Sequence, residues 1–422
     1  MRRPLHALAC LLMLSPVTTA DALASDNMPW DLEALTKPPS VTWIDKESPV
    51  HALTYSNVPF KGEPTEVFAY YATPGSISGD PSKDRDLPAV VLLHGGGGTA
   101  FAEWAWLWAK RGYAAIAMDL SGRRPTETLT FEEATGRPLT KEARGKGNRT
   151  RLEKGGPEAD ARAKFLAAGG DVTDDWQYHA VAAAMGAHSL LRSFDEVDPE
   201  RTAVTGISWG GYLTCLVASV DDRFKAAVPV YGCGYIHDGE SVQRGQTDRL
   251  TPQHRRDWVR LYEPSVWLPR CEVPIFFVNG TNDIHYPLDS YSRSYDLIKG
   301  ERYIRIEPMM GHSHPSGWAP KEIGLFIDQK LRGGDPLPTL SMPTLEEGQA
   351  STTVTSPEPI EKAEFHYTTD DGRLAERKWH SVPAERSGKK LIAAVPEGTT
   401  IWLFTVTDPR GAMISTDPFF LK

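Results

Sequence analysis

The sequence predicts an α/β fold, a mostly parallel sheet with helices on both faces, followed by a small all-β sandwich at the C-terminus. Three observations predict it. Between residues 88 and 331, short continuous apolar runs alternate with helical stretches, and a strand buried on both faces is apolar throughout rather than alternating. The order strand, helix, strand is the unit that parallel pairing requires. After residue 353 the pattern changes to short alternating runs separated by Gly, Pro and Asp turns, with no helical segment.

The elements follow in chain order. Arg2 and Arg3, an apolar run from residue 5 to 14 broken only by His6, and small residues at Ala20, Ala22 and Ala24 read as a signal peptide over residues 1–24. That run is well short of the ~18–20 residues that span a bilayer, so export to a secreted or periplasmic location is expected and stable membrane insertion is not. Residues 25–333 are expected to form the α/β domain. Within it, 25–87 is rich in Pro, Gly and polar residues, with one strand-like run over 66–71. Residues 88–93 read as a buried strand, 101–111 as a helix and 113–118 as a second strand ending at Asp119.

From 121 to 170 the periodicity stops, as expected of a lid or substrate-shaping insertion. A helix over 173–194, a strand over 201–205, a helix over 210–219 and a strand over 226–230 follow. A second irregular insertion spans 232–268. Residues 274–279 and 303–306 read as strands and 318–331 as a closing helix. Residues 334–352, rich in Pro, Thr, Ser and Glu, read as a linker, and 353–422 as the β-sandwich.

Composition narrows the function. Hydrophobic residues at 40% and charged residues at 24% describe an ordinary soluble protein. A net charge of −9 leaves no basic stripe, so no nucleic-acid partner is expected. After the leader, Cys215, Cys233 and Cys271 are too few and odd in number for a disulfide framework. They read as buried thiols or as one Cys233–Cys271 bridge.

The chemistry centres on Gly206-Ile207-Ser208-Trp209-Gly210, placed between a strand and a helix. A serine hydroxyl is a weak nucleophile until a base takes its proton, and a sharp strand–turn–helix elbow presents Ser208 for that step. The partners should follow in the order serine, acid, histidine. Asp283, just past the strand over 274–279, is the expected acid, with Asp289 in reserve; Asp119 precedes the serine. His312 and His314 compete as base, with His312 preferred because it follows Gly311 at the start of its loop. A metal pair at His312 and His314, with His285 third, is disfavoured because it leaves the elbow unexplained. The oxyanion of the tetrahedral intermediate needs backbone donors, one from Trp209 and one from the glycine run 95–98. That run lacks the spacing of a phosphate or dinucleotide loop, so no cofactor is expected.

Residues 88–332, through His94-Gly95-Gly96-Gly97-Gly98, Gly206-Ile207-Ser208-Trp209-Gly210-Gly211 and Gly280-Thr281-Asn282-Asp283, resemble the α/β-hydrolase superfamily. They look like its acetyl xylan esterase, dienelactone hydrolase and prolyl oligopeptidase branch. The resemblance implies a Ser208–Asp283–His312 triad, with Gly96, Gly97 and Trp209 as oxyanion donors. Dienelactone hydrolases carry a cysteine where this chain has Ser208. Prolyl oligopeptidases carry a β-propeller that the stretch between Ser25 and Pro88 is too short to hold. The expected function is therefore an exported carboxylic-ester hydrolase acting on small-molecule or polysaccharide esters. A peptidase and a non-catalytic polysaccharide-binding protein are the alternatives. Trp176, Trp209, Trp267 and Trp318 are candidates to line an acyl or sugar pocket.

Overall fold

The computed structural model describes residues 28–141 and 147–421. The leader over 1–24 lies outside them. Among the described residues, eleven strands precede residue 308. In chain order they are β1 (Val41–Asp45), β2 (His51–Phe60), β3 (Glu63–Ala72), β4 (Leu87–Leu93), β5 (Ala114–Met118), β6 (Arg123–Pro125), β7 (Arg149–Arg151), β8 (Val197–Ile207), β9 (Ala226–Val230), β10 (Ile275–Gly280) and β11 (Arg302–Glu307).

Nine of them form one sheet in the order β1-β2-β3-β5-β4-β8-β9-β10-β11. From β5 to β11 all pairs are parallel, and β4, β5, β9 and β10 are buried along their whole length. That continuous burial is what the apolar runs encode.

The main helices are α1 (Ala102–Lys110), α2 (Trp176–Leu191), α3 (Trp209–Val220), α4 (Pro252–Tyr262), α5 (Leu288–Asp296) and α6 (Lys321–Arg332). Helices α2 and α3 pack on each other over one face of the sheet. On the opposite face α1 and α6 meet, where Asp328 accepts from Arg111 (3.0 Å) and from the Tyr113 hydroxyl (2.5 Å).

Four expectations change. The segment before β4 holds three strands rather than one, paired antiparallel as a meander. Only the last, β3, is mostly buried; β1 and β2 lie towards the sheet edge, where mixed polar residues conceal the strand pattern. The second insertion contains α4, capped by the Thr251 hydroxyl and burying only Trp258, Leu261 and Tyr262. So narrow a stripe on a helix otherwise rich in Arg, Gln and Asp looks irregular in sequence. Pro320 divides the expected closing helix into a turn, His314–Trp318, and α6. The stretch expected as a linker already carries strands at Thr339–Leu340 and Thr344–Glu346.

The C-terminal module consists of two antiparallel sheets built around buried Phe365, Leu391, Trp402 and Phe404. It covers the β11 edge of the large sheet, where the Ile306 amide donates to Ser415 Oγ at 3.0 Å. An uncovered edge strand would offer its unpaired backbone groups to other chains. Cys215, Cys233 and Cys271 are buried and unpaired, so the possible bridge is not formed. Among the described residues no helix is long and apolar enough to cross a membrane.

Candidate active site

The parallel strands end on one rim of the sheet, and loops from β4, β8, β9, β10 and β11 converge there. Ser208 occupies the tight turn between β8 and α3 with φ 58° and ψ −115°, a region L-residues enter only under constraint. Two glycines make the turn possible. A Cβ on Gly206 would stand 2.2 Å from Gly210 O, and one on Gly210 would stand 2.0 Å from Leu93 O. The Ser208 amide donates to Val230 O at 2.8 Å, tying the elbow to β9.

The structure brings the three expected side chains into one hydrogen-bonded chain. His312 Nε2 lies 3.0 Å from Ser208 Oγ, and His312 Nδ1 lies 2.6 Å from Asp283 Oδ2. Asp283 is itself fixed, its Oδ1 accepting from the His285 amide (2.7 Å) and the Tyr286 amide (3.0 Å). Its side chain is only 2% exposed, so the carboxylate faces the imidazole and those amides rather than water. Asp289 sits in the first turn of α5 beside Gly239 and takes no part.

His314 does different work. Its Nε2 accepts the Gly95 amide at 2.9 Å, and its ring packs 4.5 Å from Phe101. The second histidine thus anchors the glycine loop while the first meets the serine.

That loop runs against the elbow. A Cβ on Gly95 would meet Ser208 Cβ at 3.1 Å, and one on Gly96 would meet Trp209 Cδ1 at 2.8 Å. Trp209 opens α3, and first-turn amides of a helix have no intrahelical acceptor. Gly96 and Trp209 are therefore adjacent, beside the serine. Gly97, at φ 72°, has no atom within 4 Å of the place a Cβ would take and stands at the open tip of the loop.

Several residues here escaped the sequence reading. The Tyr231 ring stacks on His312 at 4.3 Å, and its hydroxyl donates to Gly311 O (2.7 Å) and Ser313 O (3.2 Å). It clasps the base loop on both sides of His312. Asn282, next to the acid, donates through Nδ2 to Ala375 O (3.1 Å) and Arg377 O (2.7 Å) of the C-terminal module.

Lys164 comes from the first insertion, on a single π turn, Arg162–Leu166, a form that recurs at functional sites. It is 6% exposed, and burial lowers its pKa to about 8, with Asp160 acting in the other direction. Its Nζ lies over the rings of Trp209 (4.4 Å) and Trp176 (4.8 Å). No local sequence pattern marks a lysine whose neighbours are assembled from distant segments.

The tryptophans divide. Trp209 and Trp176 form an edge-to-face pair at 5.6 Å next to the elbow. Trp318 is partly buried against Phe101 and Trp104. Trp267 is a core residue, its indole donating to Leu261 O and packing on Trp30, so it lines no pocket. Among the described residues no group of His, Cys, Asp or Glu is arranged to hold a metal ion.

Known proteins share this fold. The acetyl xylan esterase (AXE1) family model matches residues 41–238. Acetyl xylan esterase 1 from Thermoanaerobacterium sp. JW/SL YS485 has a similar structure, with a TM-score of 0.50 and 15% identity over 74% of this chain and 98% of that one. The chain has the α/β-hydrolase fold.

Two further similar structures extend the comparison. The acetyl xylan esterase of Paenibacillus sp. R4 is 19% identical over 75% of this chain and 100% of that one, with a TM-score of 0.49. An acylaminoacyl peptidase from Pyrococcus horikoshii is 18% identical over 69% of this chain and 48% of that one, with a TM-score of 0.45. A model described as PhoPQ-activated pathogenicity-related protein matches residues 239–373.

Proposed function

We propose that the protein is an exported carboxylic-ester hydrolase that removes acyl groups, acetyl foremost, from sugar or polysaccharide alcohols through a Ser208–His312–Asp283 triad. The observation that carries the reading is the continuous hydrogen-bonded chain from Asp283 through His312 to Ser208. The acetyl xylan esterase match supports the choice of an ester over an amide. The N-terminal leader pattern supports export.

In this mechanism Ser208 Oγ attacks the acyl carbon while its proton passes to His312 Nε2. Asp283 holds Nδ1–H and so fixes the tautomer that leaves Nε2 free to accept. The carbonyl oxygen becomes an oxyanion facing the Trp209 and Gly96 amides; each such donor lowers the barrier by roughly 3 kcal/mol. Collapse expels the alcohol, which takes the proton from His312, and leaves an acyl-serine. Water, activated by His312, then attacks that ester, releasing the carboxylic acid and restoring the serine.

A panel of acetylated sugars and aminoacyl amides, run on wild type and Ser208→Ala, tests the proposal. Turnover of the sugars by wild type alone, with fluorophosphonate labelling lost in the variant, is expected. Activity surviving in Ser208→Ala would remove the mechanism, and preferential turnover of the amides would make the enzyme a peptidase.

A further inference from the structure

Lys164 is 6% exposed and carries no ion pair among the described residues. Among the described residues its Nζ has neither a carboxylate at ion-pair distance nor a hydrogen-bond acceptor, and its near neighbours are two indole faces. Lysine is almost never buried unless paired, because the ammonium loses its hydration. Indole faces return only part of that loss. Asp160 acts on the ammonium only from beyond ion-pair distance, so the cation has no close counter-charge among the described residues, and unusual charges of this kind concentrate at functional sites.

Its position shows where that counter-charge would come from. Nζ lies 3.7 Å from the place a Gly96 Cβ would take, at the residue that abuts Trp209. The backbone amides of Gly96 and Trp209 are the oxyanion donors of the mechanism above. A second cation of the same insertion, Arg149, donates to Gly98 O on the same loop. The insertion thus brings positive charge to the side of the glycine loop where the acyl group must lie.

We propose that the Lys164 ammonium is the counter-charge for a carboxylate carried by the ester substrate, so that the enzyme selects anionic esters over neutral ones. The inference rests on the ester-hydrolase reading. Two sources of that carboxylate share this chemistry. It can belong to the acyl group, as in a half-ester of a dicarboxylic acid, or to the alcohol, as in an acetylated uronic acid.

Matched pairs separate the sources: 4-nitrophenyl acetate against mono-4-nitrophenyl succinate, and acetylated methyl glucoside against acetylated methyl glucuronide. Wild type should prefer the charged member of one pair by about tenfold in kcat/KM, mostly through KM. Lys164→Met should lose that preference, its kcat/KM falling about tenfold further for the charged member than for the neutral one, and Lys164→Arg should retain part of it.

A measurement on the unaltered enzyme stands apart from the folding of any variant. Succinate or glucuronate should slow fluorophosphonate labelling of Ser208, whereas glucose should not. Equal turnover of charged and neutral members by wild type, or equal loss of both in Lys164→Met, overturns the anion site alone. Wild type that hydrolyses no ester of either pair overturns the ester reading and this inference with it.

Discussion

Replacing Lys164 with Met removes a charge that the folded chain holds at a cost, so the variant should be more stable than wild type at neutral pH. Burial brings the lysine from the ordinary 10.5 to about 8. That difference of roughly 2.5 pH units, at about 1.4 kcal/mol each, makes the ammonium cost about 3.5 kcal/mol. The indole faces at 4.4 and 4.8 Å return about 1–2 kcal/mol. Met fills a similar volume without the charge, so a net gain of about 1.5–2.5 kcal/mol is expected.

The pH dependence has a definite sign. Between about 8 and 10.5 the unfolded lysine binds a proton that the folded one has released, so wild-type stability rises across that window. The advantage of the Met variant is therefore full below pH 8 and absent above about 10.5. Urea midpoints of both proteins at pH 7 and pH 10.5 measure it, other groups cancelling in the difference. A variant less stable than wild type by more than about 1 kcal/mol at pH 7 would refute the reasoning, because it would mean the folded ammonium is already paired.

Two other substitutions separate positioning from chemistry. His314→Ala removes the acceptor of the Gly95 amide but leaves His312 in place, so kcat should fall about 10–100-fold with fluorophosphonate labelling of Ser208 retained; complete loss of labelling would make His314 the base instead. Asn282→Ala breaks two hydrogen bonds between the acid loop and the C-terminal module, costing about 1–3 kcal/mol in stability. With KM held near the wild-type value, kcat should fall as well; an unchanged kcat would show that the module does not help to hold Asp283.

The parts readable in sequence are those encoded by neighbours along the chain. Continuous apolar runs marked β4, β5, β9 and β10, because burial on both faces removes polar residues from the whole strand. Gly206 and Gly210 marked the elbow, since each lies where a Cβ would strike backbone. The order Ser208, Asp283, His312 followed from where strands end in such a sheet. By contrast β1, β2 and α4 stayed hidden: each buries a narrow or interrupted stripe, and at their polar positions sequence alone does not separate a structured edge from a loop.

By itself, then, the sequence picked out the elbow at Ser208, Asp283, and the loops that hold His312, His314 and Gly96. Only tertiary structure shows which histidine lies beside Ser208. His312 and His314 are two residues apart with similar local surroundings, and only distance to Ser208 and to Gly95 distinguishes them. It likewise decided the places of Tyr231, Asn282 and Lys164. Their roles depend on what folding brings against them: a histidine loop, a β-module and a pair of indoles. Burial, pairing and electrostatic cost are properties of those assembled surroundings, and no stretch of chain carries them alone.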